Sequence, residues 1–259
     1  MIFLTGDVHN GLVGTYEYSQ LGENELNAAK EYLKVLKKYN LKSTLFLNGI
    51  LLETETEKIK ELLNYNVEFG GHTYNNFGKM NLFKSYLYRK FFGCIYGPSS
   101  YQRKDIKKTK ITFEDFGIKM TSWRTHSFGS NEKTFELLKK EGVEFVSDLL
   151  GHQKPFRDKN GLIHLPINIP VDQNTIAYGI LKPENRNPFA SCTKGRIKAE
   201  EWFEIIKSRI IENEKKGIDS ILLLHPSTMA LLDNFKLLDK ICKFLSKYKS
   251  GKISEFILK

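Results

Sequence analysis

The feature that most constrains this chain is an alternation. Short apolar runs, each stopped by polar or glycine residues, are separated by longer stretches with apolar residues at helical spacing. Ile2, Phe3 and Leu4 begin the first run, which passes through Gly6 into Asp7, Val8 and His9. Leu26, Ala29, Leu33 and Leu36 recur at helical spacing across Glu23 to Tyr39, and Ser43 to Leu47 reads as a second buried strand. Thr54 or Thr56 is placed to cap a helix carrying Ile59, Leu62 and Leu63, and Val67 to Phe69 is a short strand stopped by Gly70 and Gly71. Further strands are expected at Lys119 to Trp123, Glu144 to Ser147, Leu162 to Ile167, Ser220 to Leu224 and near Ile253 to Ile257. Helices are expected after a Ser130 cap, from Lys198 to Lys215 and from Leu232 to Tyr248.

Seven or eight such units imply either a barrel of parallel strands or a doubly wound sheet. The polar residues favour the barrel: Asp7, His72, Arg124, His126 and His225 all fall at or just beyond the carboxyl ends of strands, where barrels assemble active sites. With 259 residues, 41% of them hydrophobic, the chain can bury such a core. No linker-like tract or internal repeat divides it, so residues 1–259 read as a single domain.

Charge and cysteine usage exclude several classes. The net charge of +10 would suit an anionic partner, but the lysines are spread over helix faces, as at Lys34, Lys37 and Lys38, which is the pattern of solvated surface. No nucleic acid is expected as a partner. Cys94, Cys192 and Cys242 are odd in number and widely spaced, which argues against a disulfide framework and a cysteine metal site. No run approaches the ~18 apolar residues of a membrane helix, and the chain opens in a strand; a cytoplasmic protein without a transmembrane segment is expected.

Asp7 and His9 are two apart on a strand, so they project to one face while Val8 turns into the packing. His72 follows the Gly-Gly strand end, with Asn76 four residues on, the spacing of one face of a helical turn. Arg124 and His126 alternate like strand neighbours, and His225 sits between the apolar run Ile221 to Leu224 and Pro226. Taken singly, Arg124 reads equally as a counter-charge to Asp7 and His225 as a satisfied core imidazole. His152 and His164 lack an acidic or helical partner at ligand spacing and read as surface or packing residues.

In order along the chain, Thr5-Gly6-Asp7-Val8-His9, Gly71-His72-Thr73-Tyr74-Asn75-Asn76, Trp123-Arg124-Thr125-His126-Ser127-Phe128-Gly129 and Leu222-Leu223-Leu224-His225-Pro226 resemble the motifs of the polysaccharide deacetylases that share the NodB homology domain, carbohydrate esterase family four. The resemblance implies a deformed (β/α) TIM-like barrel with a divalent metal, zinc first, hydrolysing a non-peptide carbon–nitrogen bond, usually the N-acetyl amide of a sugar or glycan precursor. Carried over by position, Asp7 is the general base, His225 the general acid and Arg124 the orienter of Asp7; His9, His72 and Asn76 are the metal ligands. Glu201-Trp202 stands where the family has an acid followed by Trp, and Tyr74 and Trp202 become auxiliary or substrate contacts. A backbone N–H near Thr125 or His126 is expected to share the oxyanion's charge.

Two positions depart from the family pattern, which usually has an acid where His9 stands and a second His or a Ser where Asn76 stands. An amide oxygen is a poor zinc ligand, so weaker or altered metal binding is expected. His126, where relatives usually have Pro, is either a replacement ligand or a substrate contact. Two other readings keep the fold: a metal-independent hydrolase of cyclic amides or ureides, and a carbohydrate-binding relative that has lost turnover. An insertion-like segment, Met80 to Arg103, interleaves Phe83, Tyr86, Tyr88, Phe91, Phe92, Tyr96 and Tyr101 with Lys84, Arg89, Lys90 and Arg103. It reads either as a helix covering the barrel or as a stacking surface for an anionic or phosphate-linked sugar.

Overall fold

A computed structural model describes residues 1–11, 20–22, 24–77, 87, 88, 90–177 and 197–258. Its strands are β1 (Ile2–Val8), β2 (Ser43–Leu47), β3 (Val67–Gly71), β4 (Ser122–Trp123), β5 (Phe145–Val146), β6 (Phe156–Arg157), β7 (Ile163–His164) and β8 (Ser220–Leu223). They form one eight-stranded sheet in the order β6-β7-β5-β4-β3-β2-β1-β8. All neighbours pair in parallel except β6, which lies antiparallel against β7. Every residue of β1 and β2 is buried, as expected of parallel strands covered on both faces. Beyond β7 the chain reaches β8 through Asn168. Its backbone N–H donates to the Ile221 carbonyl, its amide donates to the Asp219 carbonyl and its Oδ1 accepts the Ile221 N–H at 3.0 Å. One side chain thus bridges the gap that a full strand closes in a regular barrel, and the expected deformed (β/α) barrel is the observed architecture.

The helices are α1 (Leu26–Lys38), α2 (Gly49–Thr54), α3 (Thr56–Leu62), α4 (Ser99–Asp115), α5 (Glu132–Lys140), α6 (Ala199–Lys215), α7 (Pro226–Asp233) and α8 (Lys236–Leu245). Several differ from the sequence reading. Thr54 and Thr56 cap nothing; their hydroxyls donate back to the carbonyls of Ile50 and Leu52. Asn131, not Ser130, caps α5 in a reciprocal box with Thr134. The stretch from Leu232 to Tyr248 breaks where Asn234 and Phe235 adopt φ of 53° and 65°, because a continuous apolar period does not register a left-handed stop. The expected last strand is a 3-10 turn at Ile253–Glu255. The sequence reading has no counterpart for α4, whose buried face carries Gln102, Asp105, Thr109 and Thr112 among its apolar residues.

Much of the Met80 to Arg103 segment, including Phe83, Lys84, Tyr86 and Arg89, lies outside the described residues. In the remainder Tyr96 is buried, whereas Phe91 and Phe92 are exposed and Phe92 stacks on Tyr88. Cys94 and Cys242 are buried free thiols, and Cys192 lies outside the described residues. Among the described residues no helix is long and apolar enough to cross a membrane.

Candidate active site

The strand register builds the site. Val8 pairs with Leu47, Leu47 with Gly71, Gly71 with Trp123 and Trp123 with Val146, so the next residue on each strand, His9, Asn48, His72, Arg124 and Ser147, emerges on one row. Across β1, Leu223 pairs with Thr5, which brings His225 level with Asp7. Gly71 permits this alignment by close approach: a Cβ there would lie 2.5 Å from the Trp123 ring.

Three imidazoles converge on this row. The ring nitrogens of His9, His72 and His126 that face one another all lie within 4.8 Å. His9 Nε2 is 3.2 Å from His72 Nε2, and His126 Nδ1 is 3.4 Å from the same atom. Two ~2.0–2.1 Å bonds at a tetrahedral angle set two nitrogens about 3.3–3.4 Å apart, so these separations are those of a zinc-type ligand set. His72 Nδ1 is buried without a hydrogen-bond partner. Burial pushes the His72 imidazole down to about 3, and burial followed by its imidazole neighbours lowers His126 well below the usual histidine range. Both therefore present lone pairs, and the residues fit a bound cation. His9 differs. Burial opposes its charge, but Glu25 overcomes that, accepting from both the His9 backbone N–H (2.9 Å) and Nδ1 (3.0 Å), and the imidazole is raised.

Asp7 lies beside this cluster. Its Oδ1 accepts from Arg124 Nη1 at 2.8 Å, while Oδ2 faces His72 Nε2 at 4.0 Å and His225 Nε2 at 3.7 Å. Burial alone would raise the carboxyl, but the Arg124 guanidinium, followed by the imidazoles, holds it well below the usual carboxylate range. Arg124 is wholly buried and donates to the Ser147 carbonyl and hydroxyl and to Thr5 Oγ1 as well as to Asp7. With only 4% of its surface exposed, Asp7 is not the surface-facing strand end that a terminal Asp-x-His suggests. His225 donates through Nδ1 to Asp172 Oδ1 at 2.7 Å, and its backbone N–H donates to Asp172 Oδ2 at 2.7 Å. Against the effect of burial, Asp172 and then Asp7 raise the His225 imidazole to about 9.

The other expected residues make contacts of their own. The segment after His72 is not a helical turn, since Thr73, Asn76 and Phe77 take φ of 63°, 41° and 67°. The four-residue spacing argument for Asn76 therefore fails; its amide faces the Asn10 carbonyl, and its Oδ1 is buried without a partner. Tyr74 donates to Glu53, and Lys108 lies over its ring. Trp202 is buried in the core with its indole N–H on the Pro170 carbonyl. The Thr125 N–H is spent on Asp148 Oδ1, so it is not an oxyanion donor. His164, read as a surface or packing residue, is buried, bonded to Asp158 and stacked on Phe156.

The sequence reading missed Glu25, Asn48, Asp148 and Asp172. Glu25 stands 16 residues from His9, and Asp172 stands 53 from His225, so no local spacing reports either pair. Asn48 is buried and donates to the His72 carbonyl while accepting from the Asn10 N–H, tying the two imidazole-bearing strand ends together. An Asn directly after a buried strand was the one legible signal for it.

Residues 15–146, just over half of the chain, match the polysaccharide deacetylase family, and the chain belongs to that family. No curated protein sequence matches it. Similar solved structures include a protein assigned as a polysaccharide deacetylase from Mycobacterium smegmatis, 16% identical with a TM-score of 0.70, covering 97% of this chain and 86% of that one. An allantoinase is 14% identical with a TM-score of 0.66, covering 97% and 86%. A family 4 carbohydrate esterase pseudoenzyme from Bacillus anthracis is 16% identical with a TM-score of 0.55, covering 98% of this chain and 64% of that one. At these identities the likeness is one of fold.

Proposed function

We propose that the chain is a metal-dependent hydrolase of non-peptide carbon–nitrogen bonds that removes N-acetyl groups from a sugar or glycan precursor. The observation that carries this reading is the position of Asp7 Oδ2, free of Arg124 and set between the imidazole cluster and His225 at 4.0 and 3.7 Å. His9, His72 and His126 would hold the ion, which when bound polarises the acetyl carbonyl and acidifies the attacking water. Asp7 takes the water proton at Oδ2, since Oδ1 is engaged by Arg124. Arg124, locked by Ser147 and Thr5, fixes that carboxylate in orientation. His225, kept protonated through neutral pH by Asp172, turns Nε2 to the same space and protonates the departing amine.

The test is acetate and amine release from N-acetylglucosamine oligomers by zinc-loaded protein. Turnover that is lost on chelation and restored by zinc supports the reading. Metal-independent hydrolysis of a cyclic ureide would replace it with the second reading; an allantoinase is among the solved structures of like fold. Oligomer binding without turnover would make the chain a catalytically impaired relative.

A further inference from the structure

Glu25 is only 3% exposed, yet its side chain makes no contact typical of its place in the chain. It is the N-cap residue of α1, but its side chain bonds no helix N–H. The hydrogen bonds of Oε2 run instead to the Nδ1 and the backbone N–H of His9, and the Glu25 N–H donates to the His9 carbonyl at 3.4 Å. Asp7 is paired with Arg124 and Asp172 with His225. Glu25 has no Lys or Arg opposite it, and its only ion-pair partner among the described residues is an imidazole whose other nitrogen faces His72.

We propose that Glu25 is the positioning residue of a carboxylate–histidine–metal relay: it holds His9 with Nδ1–H on its own carboxylate, so that the Nε2 lone pair faces His72 and His126, and it supplies the negative charge that a ring of neutral imidazoles lacks. This rests on the reading that the three imidazoles hold a divalent cation. A carboxylate behind a ligating imidazole fixes its tautomer and raises its basicity, and losing such a partner typically weakens metal binding by about 10–100-fold. Gln at position 25 keeps an acceptor for Nδ1–H but removes the charge, so it separates basicity from simple placement.

The experiment measures zinc dissociation constants of full-length wild type and Glu25→Gln by competition with a chromophoric chelator, alongside melting temperatures of the metal-free proteins. The expected result is zinc binding by the wild type and a dissociation constant about 10–100-fold higher in Glu25→Gln. A variant with unchanged zinc affinity, whatever its melting temperature, overturns the relay and leaves the metal reading standing. Failure of the wild type to bind zinc overturns both. A second measurement needs no variant. Long-range proton–nitrogen correlation spectra of the zinc-loaded wild type should show His9 carrying its proton on Nδ1, and a ligating Nδ1 or a proton on Nε2 overturns the proposal.

Discussion

Replacing Asp172 by Asn isolates the charge that keeps His225 protonated. The imidazole stands at about 9 against an ordinary 6.5, and burial works against that rise, so the carboxylates facing it supply all of it, Asp172 foremost. A displacement of about 2.5 pH units corresponds to roughly 3 kcal/mol favouring the imidazolium. Asn keeps an acceptor for Nδ1–H or for the backbone N–H but removes the charge. Asp7, whose Oδ2 lies 3.7 Å from Nε2, and Glu25 remain to oppose burial, and the midpoint of His225 is expected below about 7. Proton NMR of the metal-free protein reads this midpoint directly. On the proposed substrate the alkaline limb of kcat/KM should move down with it, since a neutral imidazole cannot protonate the amine. The stability linkage has a fixed sign. The raised folded-state value means that the contribution is fully present below about 6.5 and is lost as pH rises through about 9, so the wild type loses up to ~3 kcal/mol across that window and Asp172→Asn loses far less. A His225 midpoint within half a pH unit of the wild type would refute this account of the acid.

Asp7→Asn should lower turnover by about 10²–10⁴-fold and, by leaving the wholly buried Arg124 without its counter-charge, lower stability by about 3 kcal/mol in denaturant unfolding; retained turnover would remove Asp7 from the role of base. His126→Ala should weaken zinc binding by on the order of 10²-fold or more, while Asn76→Ala leaves it within about threefold; isothermal titration giving the reverse order would make Asn76 the third ligand. Gly71→Ala places a methyl 2.5 Å from the Trp123 ring and 2.6 Å from Met120 Sδ, and should cost about 1–3 kcal/mol of unfolding free energy. A melting temperature equal to the wild type's would show that the β3–β4 approach is looser than the register implies.

The parallel barrel was legible in the sequence because a strand buried on both faces must be an apolar run, and the alternation of such runs with helical periods survives without any knowledge of partners. The same logic made Asp7, His72, Arg124 and His225 legible, since each ends an apolar strand and register does the rest. Only tertiary structure could decide what lies beyond pattern. A helix such as α4 buries Gln102 and Asp105, satisfied by residues far away, and Thr109, whose hydroxyl donates to the Asp105 carbonyl, so its inward face carries a weakened apolar signal. His126 joins the imidazole cluster through a turn with Ser127 and Phe128 at φ of 53° and 52°, whereas Asn76, favoured by spacing, sits on a segment that is not helical. Glu25 and Asp172 meet His9 and His225 across 16 and 53 residues of chain. Short-range order follows from local periodicity and sterics, but a buried charge selects its partner through space, and that choice exists only once the chain has closed around it.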